Sequence, residues 1–245
     1  MSPSFSPDGR YLSVLLCEDA PMKTIKASKN DYVHMVVILD RTGSMDSIRD
    51  DTIGGFNTFL KKQQAEPGKA TLTLVQFDSQ DPYEVIQKFM PLADVPELTR
   101  ETFVPRASTP LLDAMGRGIN DLEASLAALP AKARPARVVM VIITDGQENA
   151  SHEFTKGQVE KMIKAKQDKS DWQFVFLSAD LAAIDDAVKT GVKMCCSMAF
   201  DKDAHGTSAA FSSVSERISD YRGKRAPAVA FNDEDRAQQK NEKKR

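Results

Sequence analysis

Two stretches of the chain, residues 33–39 and 138–143, are nearly unbroken aliphatic runs, and each ends in an acidic turn. Asp40 follows the first, and Thr144-Asp145-Gly146 follows the second. A strand with one face in water alternates apolar and polar residues. A strand that reads apolar at successive positions is covered on both faces. Two such strands point to a central sheet sandwiched between helices.

The rest of the chain supplies those helices and further strands. Residues 48–64 carry Ile53, Phe56, Phe59 and Leu60 at helical spacing. Gly54-Gly55 weakens this helix locally, and Pro67-Gly68 stops it. Residues 71–77 alternate as a strand, and residues 83–89, after Asp81-Pro82, read as its hairpin partner. Residues 91–109 form a long connection with three prolines, the kind of loop that usually has a function. Helices are expected at 111–129, 155–166, 181–189 and 208–221, with strands at 172–177 and 192–200. Strands alternating with helices predict an α/β, doubly wound, mainly parallel central sheet with one antiparallel edge strand and helices on both faces. Such sheets bind ligands at the carboxyl ends of strands, where the strand order reverses. If the two aliphatic strands are neighbours, their acidic loops reach one crevice.

The domain is expected over residues 30–222. Residues 1–29 read as a disordered or upstream extension: the apolar run 11–17 is short for a signal segment, no A-x-A-like site follows it, and Met22 begins a plausible natural start. Ser6-Pro7-Asp8-Gly9-Arg10 looks like a β-propeller repeat, but one copy builds no propeller. Residues 223–245 read as a charged, disordered tail. A formal net charge of −2 argues against broad binding to nucleic acid or anionic membrane. No apolar stretch approaches the ~18–20 residues that span a bilayer. The three cysteines, Cys17, Cys195 and Cys196, form no disulfide framework or zinc spacing, which fits reduced thiols in a cytoplasmic protein.

The chemistry concentrates in three loops. Asp40, Thr42 and Ser44 form a D-x-T-x-S pattern just past the first buried strand. Asp145 stands after the second, and Thr109, in Ser108-Thr109-Pro110-Leu111, precedes a helix. Carboxylates and hydroxyls are hard oxygen donors, suited to Mg²⁺, Mn²⁺ or Ca²⁺. Two carboxylates leave such an ion electrophilic enough to take a further carboxylate from another molecule. Each residue also has a plainer role. Asp40 and Ser44 suit a helix cap, Thr109 an N-cap before Pro110, and Asp145 a turn before Gly146. Asp113 either orients Thr109 or a metal-bound water, or caps a first helical turn. Gln147 and Glu148 either rim the site or, more often in such loops, face solvent. Arg41 either faces solvent or meets an incoming acidic ligand. His34, His152 and His205 show no ligand spacing.

At these residues the sequence resembles the von Willebrand factor type A (vWA) family, of the intracellular bacterial and phage type, with its metal-ion-dependent adhesion site (MIDAS). The family pattern is D-x-S-x-S, a later threonine, and an aspartate often written T-D-G. Asp40-Arg41-Thr42-Gly43-Ser44, Thr109 and Thr144-Asp145-Gly146 match it in order, with Thr42 where serine is commoner. The resemblance implies a Rossmann-like fold over about residues 30–222. It also implies a bound Mg²⁺ or Mn²⁺ (Ca²⁺ less so) at Asp40, Thr42, Ser44, Thr109 and Asp145. It implies protein binding without catalysis, with a partner's acidic side chain completing the metal sphere. The competing expectation is a metal-dependent phosphohydrolase with Asp40 as nucleophile. Thr42 stands against it, since it fills the position where a second acid is usual. Nucleotide-binding glycine loops are absent from the sequence.

Overall fold

The computed structural model of the protein describes residues 31–239. Residues 1–29, with Cys17, Met22 and the apolar run 11–17, and the basic end 240–245 lie outside the described residues.

Six strands form one sheet: β1 (Val33–Asp40), β2 (Ala70–Phe77), β3 (Glu84–Pro91), β4 (Arg137–Thr144), β5 (Gln173–Ser178) and β6 (Ser197–Ala199). Their order is β3-β2-β1-β4-β5-β6. All neighbours run parallel except β2 and β3, the antiparallel edge pair. The helices are α1 (Arg49–Ala65), α2 (Leu111–Ala128), α3 (Lys156–Ser170), α4 (Leu181–Lys189), α5 (Ala204–Arg222) and α6 (Asp233–Gln238).

The period-two geometry of β1 divides its side chains between two cores. Val33, Met35, Val37 and Leu39 join Phe56 and Leu60 of α1 and Phe211 and Ile218 of α5. Val36 and Ile38 join Met115 and Ile119 of α2, Ile163 of α3 and Ile184 of α4. Every residue of β1 is buried, as a strand covered on both faces requires. Gly55, which weakens α1 as an isolated helix, lets the Phe211 ring of α5 pack against the α1 backbone. A Cβ there would lie 2.3 Å from the Phe211 ring. The chain winds outward through β1, β2 and β3, then returns to the other side of β1 with β4. The switch point therefore lies between β1 and β4, and their carboxyl ends open one crevice.

Two expectations are corrected. The last strand is not 192–200. Only Ser197–Ala199 pairs with β5, and residues 194–196 form a 3₁₀ turn. Val192 and Cys196 use their apolar surface in the core that holds α4, not in a ladder. Nor is the chain unstructured from residue 223 as far as it is described. Val229 and Phe231 are buried in the core beside α1 and α5. The Phe231 N–H donates to the Cys195 carbonyl at 2.8 Å, and Asn232 and Asp235 form a capping box that starts α6. Isolated apolar residues make no periodic pattern, so this docking has no local signature. Among the described residues no helix is long and apolar enough to cross a membrane.

Candidate metal centre

Asp40 closes β1 with no exposed surface. Its Oδ1 accepts the Thr42 N–H at 2.7 Å, and its Oδ2 accepts the Thr144 hydroxyl from the end of β4 at 2.6 Å. Asp40 thus joins the two loops at the switch point. The chain then turns into a 3₁₀ segment (Gly43–Ile48), held by Met45 N–H to Thr42 C=O at 3.0 Å and by burial of Met45 and Ile48. This turn brings Ser44 across the crevice, where its hydroxyl donates to Asp145 Oδ1 at 2.7 Å. The Thr42 and Ser44 hydroxyl oxygens lie 3.2 Å apart.

The third loop is fastened on both sides. Gly43 N–H donates to Ala107 C=O at 3.0 Å, and Arg106 N–H to Arg41 C=O at 2.9 Å. Thr109 N–H donates to Asn149 Oδ1 at 2.8 Å, and Asn149 N–H returns to Thr109 C=O at 3.0 Å. Ala107 holds this path at φ 59°, a left-handed conformation uncommon for a residue with a Cβ. Hydrogen bonds therefore join Asp40, Thr42, Ser44 and Asp145 at the switch point, and backbone bonds tie the loop that carries Thr109 to both neighbouring loops.

The plainer helix-capping roles are not what these side chains do. Ile48 precedes α1 and Pro110 precedes α2, neither with a side-chain cap. The first turn of α2 is instead met by Glu148, whose carboxylate accepts the Leu112 N–H at 2.9 Å. Glu148 also accepts the Ala150 and Ser151 N–H groups and the Ser151 hydroxyl, so it organises its own loop. Gln147 turns to Asp180 at 2.9 Å. Asp113 does not reach Thr109. It accepts the N–H groups of His152, Glu153 and Phe154 at 2.8, 2.9 and 2.8 Å. Arg41 faces neither solvent nor the crevice: it is buried, with Nε on Asp78 at 2.7 Å and its guanidinium 2.5 Å from Glu84. His34 stacks on Phe89 at 3.9 Å, and burial pushes its pKa down to about 3.

Two features of the crevice favour a cation. Burial raises the Asp40 carboxyl to about pKa 7; the hydrogen bonds from Thr144 and Thr42 offset this only in part, and the charge of Asp145 adds to it. Asp145 Oδ2 is buried and accepts no hydrogen bond, although Lys202 Nζ stands 2.6 Å away. That contact pairs charge without hydrogen-bond geometry. Among the described residues no group of three or more His, Cys, Asp or Glu side chains is placed to hold a metal, so a site here depends on its hydroxyls. Such a donor set, hard oxygens with few carboxylates, fits Mg²⁺ or Mn²⁺.

Three contributors carry little or no sequence signal. Asp78 follows β2 as Asp40 ends β1, and that strand-end position was the available cue. Thr144 looked like only the leading residue of a turn. Lys202, in Phe200-Asp201-Lys202-Asp203, is one lysine among many and has no motif.

Known folds match this arrangement. The pilus adhesin SpaC from Lactobacillus rhamnosus GG, in its open conformation, superposes with TM-score 0.58 at 13% identity over 78% of this chain and 30% of its own. A von Willebrand factor type A protein from Catenulispora acidiphila gives 0.51 at 12% identity, covering 76% of this chain and 42% of that one. This chain has the vWA fold. Proximal thread matrix protein 1 from the mussel byssus, with a zinc-occupied MIDAS motif, gives 0.52 at 12% identity, covering 77% of this chain and 46% of its own. The chain spans less than half the length of each of these vWA-fold structures. No family model and no curated protein sequence matches it.

Proposed function

We propose that this chain is a divalent-cation-dependent protein-binding module. In this reading Asp40, Thr42, Ser44, Thr109 and Asp145 hold Mg²⁺ or Mn²⁺ directly or through water. An acidic side chain of a partner protein takes a remaining position. The observation that carries the reading is Asp40, a fully buried carboxylate to which no cationic side chain among the described residues is bonded, with a pKa raised to about 7. A buried charge without a counter-charge is costly, and a bound cation removes that cost. The strained Ala107 loop beside it supports the same reading, because backbone outliers of this kind cluster at ligand sites. The zinc-occupied MIDAS motif of the mussel protein supports a divalent ion; the choice of Mg²⁺ or Mn²⁺ rests on the donor set.

The module binds and does not catalyse. Thr42 stands where a second carboxylate would be needed, which disfavours a phosphohydrolase with Asp40 as nucleophile. A small net negative charge favours a protein partner over nucleic acid or an anionic membrane. A cytoplasmic setting is part of the proposal and rests on the sequence, whose three cysteines show no disulfide framework and no zinc spacing.

Calorimetric titration with MgCl₂ or MnCl₂ tests the site. The wild type is expected to bind, and Asp40→Ala and Asp145→Ala to lose binding while keeping their circular dichroism. Unchanged affinity in both variants overturns the reading. Partners captured with Mg²⁺ and released by EDTA would identify the acidic ligand.

A further inference from the structure

We propose that Lys202 is a tethered competitor for the cation, an ammonium that must leave Asp145 before a divalent metal can bind. This inference rests on the metal-site reading above. Asp145 has one carboxylate oxygen taken by the Ser44 hydroxyl at 2.7 Å, and the other faces Lys202 Nζ at 2.6 Å. The ammonium therefore engages the oxygen that a metal ion would use.

The lysine is delivered by a well-held turn between β6 and α5. Phe200 N–H donates to Ser178 C=O at 3.0 Å on one side. On the other, the Asp203 carboxylate accepts the Gly206 N–H at 2.8 Å and caps α5. Gly206 lies against the Asp201 backbone so closely that a Cβ would sit 2.2 Å from the Asp201 carbonyl oxygen. The backbone aims Lys202, while its side chain, 35% exposed, has a water-facing route of retreat. Two cations cannot share one carboxylate oxygen without strong repulsion. Divalent metal binding therefore includes rupture of the Lys202–Asp145 pair, and metal affinity is set below what the oxygen donors alone would give.

The test is calorimetric titration of MgCl₂ into the full chain as wild type, Lys202→Met, Lys202→Gln, Lys202→Arg and Asp145→Ala. Both neutral variants should bind up to about fivefold more tightly than wild type, the scale of one partly exposed ion pair. Lys202→Arg should stay near wild type, and Asp145→Ala should not bind. A second readout is thermal melting. In EDTA the neutral variants should melt below wild type, and saturating Mg²⁺ should close the gap. If wild type binds and both neutral variants bind equally or more weakly, Lys202 only positions Asp145: this inference falls and the metal site stands. If neither wild type nor the neutral variants bind, both fall. Binding by the neutral variants alone supports both.

Discussion

Asp40 and Asp78 stand at the carboxyl ends of adjacent parallel strands, and neither has exposed surface. Their environments differ in one respect. Burial pushes Asp78 upward as well, but the Arg106 and Arg41 guanidinium groups and the Gln80 and Asp81 N–H groups more than offset it, holding its carboxyl below the usual range. Asp40 has the Thr144 and Thr42 hydroxyls and a single backbone N–H, no guanidinium, and burial wins. Burial alone therefore does not tell a structural acid from a functional one. The number of positive partners separates the two here, and in the proposed metal site a cation would complete the partner set of Asp40.

The contrast can be broken by mutation. The largest loss of stability is expected from Asp78→Ala, which leaves buried Arg41, among the described residues, with the half-exposed Glu84 as its counter-charge. A loss of about 3 kcal/mol in urea unfolding is expected, the usual result of removing one member of a buried pair. Near-neutral behaviour would show that Asp78 is not the completed counterpart of Asp40.

Asp40→Asn should act in the opposite direction. A carboxyl raised to about 7 from its ordinary 3.8 binds its proton more tightly in the folded state. It therefore supports the metal-free fold fully below pH 3.8, and that support is lost as pH rises through 7. In EDTA at pH 8 the asparagine variant should be more stable than wild type, by up to about 4 kcal/mol. The gap should shrink toward pH 4. Saturating Mg²⁺ should reverse the order, because only wild type gains from the ion. Equal melting temperatures at pH 8 in EDTA would remove the electrostatic argument for the site. In wild type, Mg²⁺ binding should also weaken as pH falls below about 7, when the proton competes for Asp40.

The smallest effect is expected from Arg106→Ala. Its side chain is 42% exposed, and Asp78 keeps Arg41 and two N–H donors. A loss of about 1 kcal/mol or less is expected from equilibrium unfolding. A loss as large as that of Asp78→Ala would mean that both arginines are needed to complete that carboxylate.

The sequence was most informative where information is local. Aliphatic runs, helical spacing and punctuation by Pro and Gly located β1, β2, β4, β5 and all helices up to α5 within a few residues. The acids past the β1 and β4 runs followed from the same reading. It was least informative at the periphery. The short strand β6 and the docking of Val229 and Phe231 depend on contacts with the sheet and with residues distant in sequence.

The residues of the crevice show the same division. The D-x-T-x-S pattern, Thr109 and Asp145 were legible because their order and residue types are properties of the chain itself. The meeting of the D-x-T-x-S loop with Asp145 required only that the β1 and β4 strands be neighbours, whereas the loop of Thr109 is held by backbone bonds that no motif announces. What the tertiary structure alone decided is the partner of each charge: Arg41 turned inward to Asp78, Glu148 and Asp113 spent on backbone N–H groups, and Lys202 set against Asp145. These pairs join residues dozens of positions apart. Their geometry is fixed by packing and strand order, for which the one-dimensional pattern contains no period and no motif.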